Sequence, residues 1–134
     1  MKTKNLKINT KSSHKRLVKE CEALWSECIK ARAGYKSELS FARENLNSHH
    51  IVGKPNYLLR FSLDNGICLT GGEHIYGVHN EGRRAGFEEK IRRVRGADIY
   101  DRLRQMTWVN TKTDLAITKI YLKQKLEEFK KGQK

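Results

Sequence analysis

The segment Asp64–His74, with the sequence DNGICLTGGEH, decides the fold that this chain predicts. Its Asp-Asn-Gly start is a turn signal, and the apolar triplet Ile67–Leu69 that follows has the length of a short strand. Two glycines then end the strand and begin a helix that carries His74. A strand near 46–51, ending in a histidine doublet, precedes the turn. The pattern predicts two strands followed by a helix.

Helical periodicity surrounds this unit. Residues 13–33 repeat apolar side chains at helical spacing, and Gly34 is a suitable helix end. Basic helices are predicted near 84–95 and 97–106, and a last helix starts near Asp114, a good cap. The sequence therefore predicts an α+β fold that is mostly helical, in which a two-stranded antiparallel hairpin plus helix packs among several α-helices.

A length of 134 residues predicts one compact domain with tails. Residues 1–12 are interpreted as a basic flexible arm that follows a phosphate backbone, or equally as a solvated terminus without a role. A single domain is expected over 13–131. Its ββα core occupies about 44–82, and its C-terminal helical part occupies 83–131.

The formal net charge of +13 is large for this length. Because self-repulsion opposes the compact state, a polyanionic partner is expected, and nucleic acid suits the charge best. The sequence has no apolar run of about 18 residues and no apolar N-terminal segment. We therefore expect a soluble cytoplasmic protein without a membrane partner.

The three cysteines lack CxxC spacing, which argues against a disulfide framework and a zinc ribbon. Cys21 and Cys28 lie seven residues apart and share one face of the first helix, so we predict that they are small buried hydrophobes. Trp25 and Trp108 are likewise predicted to pack in the core rather than to stack on bases.

Four of the five histidines lie between His49 and His79, with Asn65 among them. Hydrolysis of a phosphodiester needs a base that takes a proton from water, and a divalent cation that meets the charge developing on the phosphate. Histidine suits the base because its pKa lies near neutrality, and its ring nitrogens also bind metals. These groups predict a nuclease site.

Spacing divides the roles. Neighbouring strand residues point to opposite faces, which favours one of His49 and His50 binding the metal and the other contacting the attacking water. His74 can return to the metal from the following helix, and an amide such as Asn65 can anchor the base. His79 lies about 140° further round an ideal helix, so either the helix ends or kinks before it or His79 has a lesser role.

The order His49, His50, Asn65 and His74 resembles the HNH endonuclease family, whose site is a ββα-metal finger, and most of all small phage and prophage members. The resemblance covers about residues 20–80. It implies that His49 and His74 ligate one divalent ion, which is Mg²⁺, Mn²⁺ or Zn²⁺. It also implies that His50 is the general base, and that Asn65 orients this base and ties the finger together.

The sequence departs from the family in two respects. His79 stands where a third histidine ligand is expected, but one residue further along than usual, and Glu73 and Asn80 are substitutes for it. Many relatives carry CxxC pairs that bind structural zinc. Such pairs are missing from this sequence, so we expect no structural zinc and a finger held by helices.

DNA is the partner that the charge and the resemblance imply. Basic residues beside the histidines and on the helix near 84–95 are predicted to contact its phosphates, although a solvated helix face is the simpler interpretation of the latter. The predicted contacts are Lys54, Arg60, Arg83, Arg84, Arg92, Arg93 and Arg95. One finger cuts one strand, so double-strand cleavage needs a homodimer or sequential nicks.

The sequence thus predicts a divalent-metal-dependent HNH endonuclease that hydrolyses DNA, with His50 as general base, in a bacterial or phage-infected cell. A non-catalytic basic DNA-binding protein with a structural metal site is the alternative from another class. An RNA nuclease of the same chemistry is a third hypothesis.

Overall fold

A computed structural model describes residues 2–53, 56–78, 84–109 and 112–132, with side chains from residue 12 onward except at 76, 78 and 84. The elements are α1 Lys2–Arg32, β1 Leu46–His50, α2 Tyr57–Arg60, a 3-10 turn Leu63–Asn65, β2 Gly66–Thr70, α3 Gly71–Val78, α4 Arg84–Arg95, α5 Ala97–Met106 and α6 Leu115–Lys131. The predicted α+β class, mostly helical with one antiparallel hairpin, is confirmed. None of the described helices combines the length and apolar character needed to cross a bilayer.

The hairpin and α3 follow one another in the predicted order. β1 and β2 pair antiparallel, with Leu46 opposite Thr70 and His50 opposite Gly66. The side chain of Thr70 accepts a hydrogen bond from the Glu73 backbone N–H (3.1 Å), and the Glu73 carboxylate accepts one from the Thr70 N–H (2.8 Å). This reciprocal capping box starts α3 directly at the end of β2.

α1 begins at Lys2 rather than near residue 13, so most of the segment predicted as an arm is helical. Glycine and proline are absent from residues 2–32, and propensity alone does not end the helix within this stretch. Gly34, with a φ of 71°, has the left-handed conformation that commonly follows a helix end. The mobility of the arm stays a prediction.

α1 and α6 enclose the first part of the core. The Cys21 thiol donates to the Leu115 carbonyl (3.5 Å), and the Cys28 thiol donates to the Leu122 carbonyl (3.3 Å). From the first contact to the second, the chain advances seven residues along α1 and seven along α6. The two helices therefore run side by side in the same direction. Cys21 and Cys28 are fully buried, as predicted, and burial raises the pKa of the Cys28 thiol to about 11.

β2 lies between two apolar clusters because its side chains alternate between its faces. Cys68 faces the α1–α6 core, whereas Ile67 and Leu69 pack with Ile91 of α4. The end of α1 is tied to the start of β2 by Arg32, whose guanidinium donates to the carbonyl of Gly66 (2.8 Å). The hairpin is therefore held by helices on both faces.

The two tryptophans have different environments. Trp25 is 3% exposed and donates from Nε1 to the Ser62 carbonyl (2.8 Å), so its predicted core position is confirmed. The same prediction is wrong for Trp108, which is 89% exposed. Trp108 lies beyond the end of α5, whose buried face is occupied by Tyr100 and Leu103.

Two glycine substitutions are predicted to change the free energy of unfolding in opposite directions, because Gly66 lies close against α1 and Gly86 does not. A Cβ at Gly66 would lie 2.6 Å from Ile29 Cγ1 and 2.9 Å from Trp25 Cζ2, and both side chains are buried. Gly66→Ala should lower the free energy of unfolding by about 1–3 kcal/mol. Gly86→Ala on α4 meets no described atom within 4 Å and should raise it by about 0.5–1 kcal/mol. Urea denaturation measures both changes, and destabilisation of equal size would contradict the packing described.

Candidate active site

β1 directs its two histidines to opposite faces of the hairpin. His49 meets His74 of α3, with ring centroids 4.7 Å apart and ring planes tilted by 52°. His50 instead stacks on Trp25 of α1, with centroids 3.9 Å apart and planes within 5° of parallel. The division of the doublet that the strand period predicts is therefore present, and α3 brings His74 to His49.

The His50 ring is held by a hydrogen bond as well as by the stack. Its Nε2 lies 2.8 Å from the carbonyl oxygen of Arg60, at the end of α2. Because a carbonyl can only accept, Nε2 donates, and the neutral ring then carries its lone pair on Nδ1. The carbonyl sets the tautomer and Trp25 sets the plane of the ring.

Asn65 is fully buried and ties together the chain around His50. Its Oδ1 accepts from the Val52 N–H (2.9 Å), and its Nδ2 donates to the carbonyls of Val52 (3.3 Å) and Leu59 (3.0 Å). These bonds fix the loop after β1 to α2, next to the Arg60 carbonyl that holds His50. The bonds of Asn65 therefore act on His50 through the backbone.

His49, His50 and His74 line one cavity of about 570 Å³. That volume lies in the range of small-molecule sites and can admit a nucleotide. Other lining residues include Glu22, Trp25, Arg60, Ile91 and Tyr100. A group that enters the cavity meets both the histidine pair and the oriented third histidine.

The third predicted ligand, His79, lies outside the described residues, as does its substitute Asn80. The other substitute, Glu73, is engaged elsewhere, since its carboxylate accepts from the Ser37 hydroxyl (2.7 Å) as well as from the Thr70 N–H. Within residues 2–53, 56–78, 84–109 and 112–132, no group of three or more side chains is placed to hold a metal.

Arg60 is the one predicted phosphate contact found in the cavity wall among the described side chains. Its guanidinium pairs with Glu22 of α1. Its Nε is buried and has no hydrogen-bond partner among the described atoms. Lys54, Arg83 and the side chain of Arg84 lie outside the described part of the chain.

The predicted contacts on α4 differ from one another. Arg93 is exposed. Arg92 pairs with Asp101 of α5 at 3.3 Å, and its side chain is 39% exposed. Arg95 turns inward, pairs with Glu38 at 3.7 Å and is 15% exposed, so a role as a phosphate contact suits it less than a structural one.

Two contacts of the site have no signal in the local sequence. Trp25 is predicted only as a core residue, yet its ring also orients His50. Glu22 is absent from the predicted site, yet it lines the cavity and pairs with Arg60. Both residues belong to α1, and only the packing of this helix on the hairpin brings them there.

No protein-family model matches the sequence, and neither a curated protein nor a solved structure matches the chain. The resemblance to HNH endonucleases therefore depends on the pattern of His49, His50, Asn65 and His74. The geometry around these four residues is the independent ground on which a function can be proposed.

Glu73 predicts a pH dependence of stability. Burial raises its pKa, but hydrogen bonds from Ser37 and Thr70 outweigh burial and lower it below the ordinary 4.5. A lowered pKa in the folded state stabilises the fold above the ordinary value, and this contribution is lost as the pH falls through the lowered value. Wild type should exceed Glu73→Gln in stability at neutral pH, and the difference should shrink in acid.

Urea denaturation of both proteins across the acidic range measures this difference. Glutamine keeps an acceptor oxygen for the capping box, so the comparison isolates the charge. Ser37→Ala, which removes one donor, should reduce the difference. A stability difference that grows as the pH falls would contradict the assigned hydrogen bonds.

Proposed function

We propose that this protein is an HNH-type endonuclease that hydrolyses DNA phosphodiester bonds with a divalent metal ion. The observation that supports the proposal is the arrangement of three histidines in one cavity, with His49 and His74 as a close pair and His50 oriented apart from them. An oriented base beside a metal-binding pair is what attack of water on a phosphate requires. The net charge of +13 suits a polyanionic substrate.

His49 and His74 fit the metal that the resemblance implies. Two imidazoles with centroids 4.7 Å apart, carried by a strand and by the helix capped at its end, form a donor pair of a kind that Zn²⁺ or Mn²⁺ accepts. Mg²⁺ prefers oxygen ligands and would draw more of its coordination from water and phosphate. A bound ion would offset the negative charge on the phosphate and on the leaving oxygen. His79 as a further ligand stays a prediction.

His50 carries the proton transfer in this mechanism. Nδ1 accepts a proton from water while the water oxygen attacks phosphorus in line with the leaving 3′ oxygen. The bond between phosphorus and that oxygen breaks, and the oxygen takes a proton from solvent, leaving a 5′-phosphate and a 3′-hydroxyl. The imidazolium lies against the face of Trp25, which favours the charged ring, and then releases its proton to solvent.

Arg60 is the best candidate for binding the reacting phosphate. It lies in the cavity wall, its carbonyl accepts from His50 Nε2, and its guanidinium would exchange part of its ion pair with Glu22 for a phosphate oxygen. Arg93 on α4 would contact the flanking backbone. We place the activity in the cytoplasm of a bacterial or phage-infected cell, with homodimerisation as one route to double-strand cleavage.

Metal binding should depend on the histidine pair. Calorimetric titration of Zn²⁺ or Mn²⁺ into the wild type should show one ion per chain. His49→Ala and His74→Ala should each weaken binding by more than about tenfold, since either change halves the described donor pair. His14→Ala is the matched control, because the His14 ring bonds to the Tyr57 hydroxyl (3.2 Å), away from the pair. Unchanged affinity in both site variants would contradict the assignment.

Nicking tests the catalytic claim. Supercoiled plasmid incubated with wild type and Mg²⁺, Mn²⁺ or Zn²⁺ should be nicked, and His50→Ala should slow nicking by about 10²–10⁴-fold. His14→Ala should nick like wild type. Equal nicking rates of wild type and His50→Ala would contradict the assignment of His50 as general base. Binding of DNA and metal without nicking would favour the non-catalytic alternative, and faster cleavage of RNA would indicate an RNA nuclease.

A further inference from the structure

A second cavity, of about 550 Å³, adjoins the candidate active site. Ile51, Val52 and Gly53, which directly follow His50 in the chain, line both cavities. The second cavity extends from this shared loop to the end of α5, where Trp108 forms part of its wall. A polynucleotide with its reacting phosphate beside His50 can therefore place a neighbouring nucleotide here.

Trp108 is displayed on an anchored backbone. Its ring is 89% exposed, although tryptophan carries one of the largest apolar surfaces of any side chain. Its N–H donates to the Gln105 carbonyl (3.3 Å), and the next residue, Val109, donates to the Met106 carbonyl (3.1 Å). The Asn56 amide donates to the Val109 carbonyl (3.1 Å) and so fixes this segment to the start of α2. The ring is thus exposed to solvent, whereas the backbone that carries it is held by hydrogen bonds.

The charges of the second cavity suit a neutral aromatic group. Among the described residues, its wall contains one cationic side chain, Arg104, and one carboxylate, Glu88, whose formal charges cancel. The Arg104 guanidinium also lies over the ring of Tyr100, which lines the first cavity, with 5.8 Å between the guanidinium carbon and the ring centroid. A phosphate would gain little here, whereas a nucleobase could stack on Trp108 and lie near the guanidinium plane.

We infer that Trp108 stacks on an unpaired nucleobase adjacent to the scissile phosphate, so that the preferred substrate is single-stranded or locally unpaired DNA. This inference rests on the proposed nuclease function for its biological meaning, although the binding itself needs no metal. A base inside an intact duplex is already stacked on both faces and is not available to the ring.

Fluorescence of the full chain tests the inference with chelator present, so that no cleavage occurs. Trp25 is buried and Trp108 is exposed, so quenching of the solvent-exposed emission reports Trp108. Oligothymidylate should quench the wild type more strongly than a duplex of equal length at the same salt concentration. Trp108→Phe should remove this quenching.

Affinities for the labelled single strand, measured by anisotropy, give the size of the effect. Trp108→Ala should bind about 5- to 150-fold more weakly, and Trp108→Tyr should recover much of the loss. Phe41→Ala is the matched control, since Phe41 is an aromatic residue that is 65% exposed with Lys36 Nζ 5.2 Å from its ring centroid. This control should bind like wild type.

Equal single-strand affinity of wild type and Trp108→Ala would overturn the inference. So would an emission change with phosphatidylserine vesicles but none with oligothymidylate, because Trp108 would then suit a lipid surface. Trp108-dependent binding in a wild type that, with metal, cleaves neither plasmid nor single-stranded DNA would count against the proposed function and support the nucleobase site. If the wild type nicks DNA and Trp108→Ala binds the single strand as tightly as wild type, the proposed function is supported and the nucleobase site is contradicted.

Discussion

The antiparallel register of the hairpin places His50 directly opposite Gly66. A side chain at position 66 would collide with Ile29 and Trp25, so the glycine allows α1 to lie close against β2. That close approach puts the Trp25 ring within stacking distance of His50. The glycine on β2 thus allows the contact that orients His50 on β1. The same packing of α1 also contributes Glu22 to the cavity.

The opposite face of β1 depends on how α3 begins. Thr70 ends β2 and caps α3 through its exchange of hydrogen bonds with Glu73, so no flexible linker separates strand from helix. His74 then follows one residue after Glu73 and reaches His49. Since Ser37 also holds the Glu73 carboxylate, the loop after α1 supports the same junction. The close pair and the single oriented histidine are therefore fixed by different contacts on the two faces of one strand.

Local patterns predict much of this arrangement. The turn, the glycine pair and the alternation of strand side chains lie close together in sequence, so the hairpin, α3 and the opposite facing of His49 and His50 could be predicted. The stack of Trp25 on His50 and the inward turn of Arg95 onto Glu38 could not, because they join residues that only tertiary packing brings together. The exposure of Trp108 was equally unpredictable, since apolar character does not reveal that the buried face of α5 is already filled.

Three arginines illustrate how packing separates structural cations from candidate functional ones. Arg32, Arg60 and Arg95 each have a buried Nε without a partner among the described atoms, and an unmet buried donor costs about 1–3 kcal/mol. Arg32 donates from Nη1 to the Leu63 carbonyl of the 3-10 turn and from Nη2 to the Gly66 carbonyl of β2, and Arg95 forms an ion pair with Glu38. Arg60 alone of these three lines the cavity with the histidines. Its guanidinium also pairs with Glu22 of the same cavity wall, so packing leaves Arg60, and neither of the other two, beside the histidines.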